Sequence, residues 1–371
     1  MNHDTMQPNI YCQSGLGLVA GGAAVWVREG AMKRSIAVRA VTGIALVAML
    51  GSCGGQPDTA RMAEHIPTDG VVAVIGCRPA RLAQSSFMRR IDERFNVSKE
   101  LAGHYRRAAE GFRETVDLDI QQIRYLEMYA SKRNPVTFMF IDSPLTLDVL
   151  AEKGTFAGGS AWERRSIGDR PVLVAKAAEM AFTEEAGGLL MAGGLPALET
   201  AFGGGAKLAD DPAFRRAAAL AEFETDYCMV SWDPQTFGDT DVAELFGSHI
   251  SGDNYEPALA EEAERRSASF GLSIEAADTL KLRTRMDFGD EAFAKRYAAY
   301  LQRNKKTLVW YAGILLMRRI GPKHTKSVWS EKALAALYQL LEERTTIGAS
   351  GGAVDIEFAF EAADVDRLGT L

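Results

Sequence analysis

Apolar and polar positions alternate most clearly near the C-terminal end of the chain. Phe270, Leu272 and Ile274 recur every second residue, a turn falls near 277–279, and Leu280, Leu282, Thr284 and Met286 alternate again before a helical stretch over 290–302. A further copy of this order has a strand over 345–349, the turn Ser350-Gly351-Gly352, alternating Val354, Ile356, Phe358 and Phe360, and a short helix from Asp364. Period-two alternation places one set of side chains on a buried sheet face, and a following helix can cover that face.

The same order is legible earlier in the chain. "VVAVIGC" over 71–77 predicts a strand that runs into "RPARLAQSSFMRRIDERF", where Pro79 suits a first helical turn. A second helix is expected over 99–112. Strands over 124–130 and 136–141, with a turn at 132–135, lead into a helix over 144–154; a similar order is expected at 172–178, 188–191 and 195–202. Asp210 or Asp211, before Pro212, reads as a helix N-cap. The expected fold class is α+β: a mostly antiparallel sheet built from hairpin-helix units, helices packed on one face, with room for two subdomains.

A different pattern governs the beginning. "AVTGIALVAMLGSCGGQ", residues 40–56, is an apolar run ending at a cysteine, preceded by "MKRSIAVR" with Lys33, Arg34 and Arg39 as a cationic head. The eleven apolar residues from Ala40 to Leu50 span about 16 Å as a helix, against a hydrocarbon core of about 30 Å. A cationic head, a short apolar stretch and small residues form the pattern of an export signal rather than of a membrane span.

The end of this run, Leu50-Gly51-Ser52-Cys53, resembles the lipobox of bacterial lipoproteins. The resemblance implies a diacylglycerol on the Cys53 thiol, cleavage before it, acylation of the new amino terminus, and attachment to the membrane through lipid. Gly54 after the cysteine, rather than aspartate, implies the outer membrane facing the periplasm if the cell is Gram-negative. On this reading residues 1–31 are an upstream extension or a misassigned start, 32–52 the signal peptide and 53–65 a flexible tether. Residues 66–232 form a first α+β subdomain, 233–257, rich in Gly, Asp and Pro, a linker, and 258–371 a second α+β subdomain. The body, with "IPTDGVVAVIG" and "ADDPAFRRAAAL", also looks like uncharacterised secreted bacterial proteins of unknown function, which implies no mechanism.

Charge narrows the partners. The chain carries a net −7; its first 52 residues hold four basic and two acidic side chains, so the rest holds 38 basic and 47 acidic and stands at −9. Phosphates are repelled by such a body, so nucleic acid is not an expected partner. The expected partners are the membrane, through the anchor, and a protein or an apolar ligand.

Motif chemistry is sparse. His65, His104, His249 and His324 form no metal-binding pair, "GGLPALETAFGGG" lacks a dinucleotide or P-loop pattern, and no nucleophile elbow is assigned. Catalytic, cofactor and metal residues are therefore assigned to none, and no cofactor is expected. Cys77 and Cys228, each in an expected strand, are either a disulfide in an oxidising envelope or two buried thiols. "KKTLVWYAGILLMRRIGPKHTK", residues 305–326, carries an apolar centre with Trp310, Tyr311, Leu315 and Leu316 between basic clusters. It reads as a membrane or partner helix, or as a helix buried all round. Three functions remain open: a non-enzymatic binding or scaffold lipoprotein, a carrier of apolar ligands, and an envelope hydrolase with dispersed catalytic residues.

Overall fold

The computed structural model describes residues 62–68, 70–95, 122–131, 137–156, 160–175, 180–185, 188–233, 256–309 and 331–369. Strand β1 (Val71–Cys77) leads into α1 (Pro79–Gln84) and α2 (Ser86–Phe95). The single helix expected after Pro79 is thus broken at Ser85, because α2 is pinned afresh: the Phe87 N–H and the Ser86 hydroxyl both donate to the Ala277 carbonyl.

The hairpin β2 (Tyr125–Ser131) and β3 (Phe138–Asp142) precedes α3 (Leu147–Glu152), whose Thr146 hydroxyl accepts from Val149 N–H at 3.2 Å. Then come β4 (Thr155–Phe156), β5 (Ser160–Ile167), β6 (Arg170–Ala175), β7 (Met180–Glu185), β8 (Leu189–Gly194) and α4 (Leu195–Phe202). A short 3₁₀ turn at Leu208–Asp210 precedes α5 (Pro212–Ala218), and Asp211 is its N-cap, accepting from Ala213 N–H at 2.8 Å.

Strand β9 (Tyr227–Ser231), α6 (Pro257–Arg266), β10 (Ser269–Ala276), β11 (Thr279–Asp287) and α7 (Glu291–Arg303) follow. The chain closes with α8 (Glu331–Arg344), β12 (Thr345–Ser350), β13 (Ala353–Glu361) and α9 (Ala362–Gly369).

The thirteen strands among the described residues join one antiparallel sheet in the order β12-β13-β11-β10-β9-β1-β2-β3-β8-β7-β6-β5-β4. The fold is α+β, and its hairpin-helix units are β2-β3-α3, β7-β8-α4, β10-β11-α7 and β12-β13-α9. In the second unit the hairpin is made by β7 and β8; β6 lies one strand further out, and β5 and β7 are strands beyond those read from the sequence.

The helices do not keep to one face, as expected, but cover two. One face buries Leu126, Met128, Phe182 and Leu272 against Leu147 and Leu150 of α3, Leu259 and Ala263 of α6, and Phe293, Tyr297 and Leu301 of α7. Further along that face, Phe87, Leu340 and Val365 close over Phe360. The other face buries Val74, Tyr129, Phe140 and Val230 beneath Met62, Ile66, Leu198 and Ala201 of α4, Leu208, and Phe214 and Ala217 of α5. The reason lies in the central strands: in β1, β3, β8 and β9 consecutive residues are buried, so both faces are apolar and both require a cover.

Of the expected linker, residues 234–255 lie outside the described residues. The strands on either side of it, β9 and β10, pair directly. One core cluster unites Cys77, Leu126 and Phe182 from the first half with Leu259, Met286 and Val354 from the second. Sheet and core therefore run without interruption through the position of that linker.

Candidate functional site

Among the described residues, the polar groupings in or beside the sheet include three at its centre and charged face. The first lies on β2, where Tyr125, Glu127 and Tyr129 share a face because they are two residues apart. Glu127 is fully buried and accepts from both phenols, Tyr125 Oη at 2.5 Å and Tyr129 Oη. Burial first, and then the Glu127 carboxylate beside it, hold the Tyr129 phenol well above its usual pKa, so it stays a donor.

Room for this group comes from Gly76 on β1, where a Cβ would lie 2.7 Å from Tyr125 Oη and 3.0 Å from Cys228 Sγ. The Arg78 guanidinium lies 5.2 Å from the Tyr125 ring centroid and donates to the carbonyls of Phe223 and Thr225. A carboxylate so enclosed meets no solute; it ties the middle of the sheet together.

The two cysteines belong to this neighbourhood, and both are free thiols. Cys77 pairs in register with Tyr227, and Cys228 with Gly76. The thiols are therefore one residue out of step on adjacent strands and point to opposite faces, Cys77 into the helix-covered core and Cys228 toward Tyr125. A disulfide between them, one of the two sequence readings, is excluded by that pleat, since it needs Cβ atoms that face each other. Burial above all raises both pKa values, so neither is a thiolate nucleophile.

The second grouping is a clip. Asp226, buried at the start of β9, accepts from Ala276 N–H at 2.6 Å and pairs with Arg81 Nε of α1 at 2.8 Å. Its desolvation outweighs the Ala276 N–H and Arg81, and its pKa is raised.

The third grouping is partly accessible, with Asp287 at its buried end. Lys281, Arg283, Arg285 and Asp287 fill the alternate positions of β11 opposite to its apolar set, and Asp355 and Glu357 do the same on β13, with Arg283 facing Glu357 and Arg285 facing Asp355 in register. Arg285 grips Asp355 through Nε at 2.9 Å and Nη2 at 3.3 Å; Arg283 reaches Asp355 at 3.2 Å and also pairs with Glu222, which accepts from Ser273 Oγ at 2.9 Å. Burial disfavours the Arg283 charge most, yet Asp355 and Glu222 outweigh it and raise its pKa. The side chains of Arg283 and Glu222 are 32% and 42% exposed. Two guanidinium forks and two carboxylates, held by one another at a surface, suit recognition of a polar partner.

Cys53, and Trp310, Tyr311, Leu315 and Leu316, lie outside the described residues, as do His104, His249, His324 and the helix expected over 99–112. The start of the 305–326 segment is described, and there Leu308 and Val309 are buried. His65 lies 3.5 Å from Glu185. Among the described residues no group of three or more His, Cys, Asp or Glu is placed to hold a metal ion, and no helix is long and apolar enough to cross a membrane. Sequence reasoning passed over Glu127, Arg283, Arg285, Asp355 and Glu222. Two signals were present: a glutamate inside the apolar run "YLEMYA", and the charged alternate positions of "LKLRTRMD".

No family model matches the chain, and no curated protein matches it. Among solved structures it is similar to crystal forms I and III of TP0453, at 9% and 8% identity, covering 85% and 83% of this chain and 96% and 98% of that one. The TM-score is 0.36 in each case, too low to carry an argument about fold or function.

Proposed function

We propose that the chain is a cell-envelope lipoprotein, tethered through lipid on Cys53, whose folded body has a non-enzymatic binding or scaffold role. The observation that carries this reading is the join between anchor and body. Leu50-Gly51-Ser52-Cys53 ends a cation-headed apolar run, and nine residues after Cys53 the chain is already buried, with Met62, Ala63 and Ile66 beneath the sheet. Eight intervening residues reach at most about 30 Å when extended. A body so tethered works at the membrane surface, on the outer membrane facing the periplasm in a Gram-negative cell. A lipidated amino terminus with two or more acyl chains holds it there firmly.

The non-enzymatic reading follows how several reactive groups among the described residues are employed. Both described cysteines are buried thiols, Glu127 is enclosed by phenols, and Asp226 clips α1. The accessible polar side chains of β11 and β13 are suited to holding a partner. Mass spectrometry of the mature amino terminus tests the anchor: an acylated Cys53 is expected, and Cys53→Ser leaves the membrane fraction. Unchanged membrane attachment of Cys53→Ser overturns it. Arg283→Ala with Arg285→Ala is expected to lose a partner captured by crosslinking in cells while remaining folded and anchored; an unaltered set of partners rejects the β11–β13 face as the binding surface.

A further inference from the structure

The two ends of the sheet are built differently. Among the described residues β5 carries Glu163, Arg164 and Arg165, and the two-residue β4 lies across its first two positions, Ser160 and Ala161. Charges and a short covering strand are the usual means of closing an edge to further pairing. Strand β12, "TTIGAS", has neither: it holds no charge and no proline, and its register with β13 is regular over all six residues. Among the described residues it pairs with β13 alone, and Thr346, Gly348 and Ser350 are exposed.

We propose that this edge pairs with a second copy of the chain, β12 antiparallel to β12, about a two-fold axis at Gly348 and perpendicular to the sheet. In that register Gly348 meets its own counterpart, Thr346 meets Ser350 and Ile347 meets Ala349. Large therefore faces small on one side, and hydroxyl faces hydroxyl on the other. Each pair lies on matching faces, because partners in such a ladder keep the same parity. Ile347 and Ala349, only partly buried within one copy, gain cover from the second.

Three observations favour a second copy over a foreign strand. An uncharged edge gives a charged strand nothing to recognise, whereas its own uncharged sequence meets no repulsion. The size match is internal to these six residues. An axis normal to the sheet also keeps the Met62 ends of both copies on one face, so both tethers reach the same membrane; this last point rests on the anchored reading of Cys53.

Sedimentation of the full chain in mild detergent is expected to give twice the mass of one chain. In membranes, Gly348→Cys is expected to yield an oxidised dimer on a non-reducing gel, since Cys77 and Cys228 are buried. No atom lies within 4 Å of a Cβ built at Gly348. Gly348→Lys therefore folds as before, with an unchanged circular dichroism spectrum, and halves the sedimenting mass. A monomeric wild-type chain, a dimer that survives Gly348→Lys, or crosslinking of Gly348→Cys to a different protein overturns the proposal. Cys53→Ser in the same sedimentation stays dimeric, so a failed anchor and a failed edge give different results.

Discussion

One face of the sheet changes character along its width. In the first half, on β1, β2, β3 and β8, that face carries Val74, Tyr129, Phe140 and Met191 and is closed by α4, α5 and the 62–66 segment. In the second half, on β11 and β13, the continuation of the same face carries Arg283, Arg285, Asp355 and Glu357, with both arginines paired to Asp355. Both regions are antiparallel sheet with the same pleat. Where both faces are apolar, water must be excluded from both and helices are recruited; where one is charged, the sheet meets solvent and needs no cover. The first region is therefore expected to hold the fold, and the second to be free for recognition.

Substitutions on the two regions test that division, and the largest effect belongs to the covered one. Phe140, 1% exposed with its ring 6.0 Å from that of Tyr129, is expected to cost about 3–5 kcal/mol on Phe140→Ala, read by urea unfolding. A loss below 1 kcal/mol removes the claim that this half carries the stability. At Gly76 the added methyl of Gly76→Ala meets Tyr125 Oη and Cys228 Sγ at 2.7 and 3.0 Å. Destabilisation of about 1–3 kcal/mol follows from overpacking, with thermal unfolding as the readout.

The exposed half is expected to respond far less. Arg283→Ala removes half-exposed pairs with Glu222 and Asp355, worth about 0–1 kcal/mol in a double-mutant cycle with Glu222→Ala. A coupling several times larger makes this network part of the core scaffold rather than a recognition surface. The smallest effect is one of pH. Burial raises the Asp226 pKa, so the folded state keeps a proton that the unfolded chain has already lost. Stability then falls as pH rises from the ordinary carboxylate range through the raised value. Asp226→Asn is expected to flatten that slope, measured as unfolding midpoint against pH.

The alternating strands β10, β11 and β13, the cap before Pro212 and the helices after each hairpin were legible because each depends on residues close together in sequence. Strands β5 and β7 were not. "SAWERRSI" has charges where a strand was sought by apolar alternation, and it is a strand because β6 supplies its ladder. The charged face of β11 and β13 was half legible: charges at every second position of β11 place Arg283 and Arg285 together, but Glu222, which pairs with Arg283, lies 61 residues from it.

What the sequence determined by itself is local: which residues share a strand face and where helices begin. Periodicity and capping act over a few bonds. The tertiary structure alone decided that β9 joins β1 to β10, that both faces of the first half are covered, and that Cys77 and Cys228 point apart. Strand order and register are chosen by summed burial and hydrogen bonding across the whole sheet. No short window of residues contains that sum.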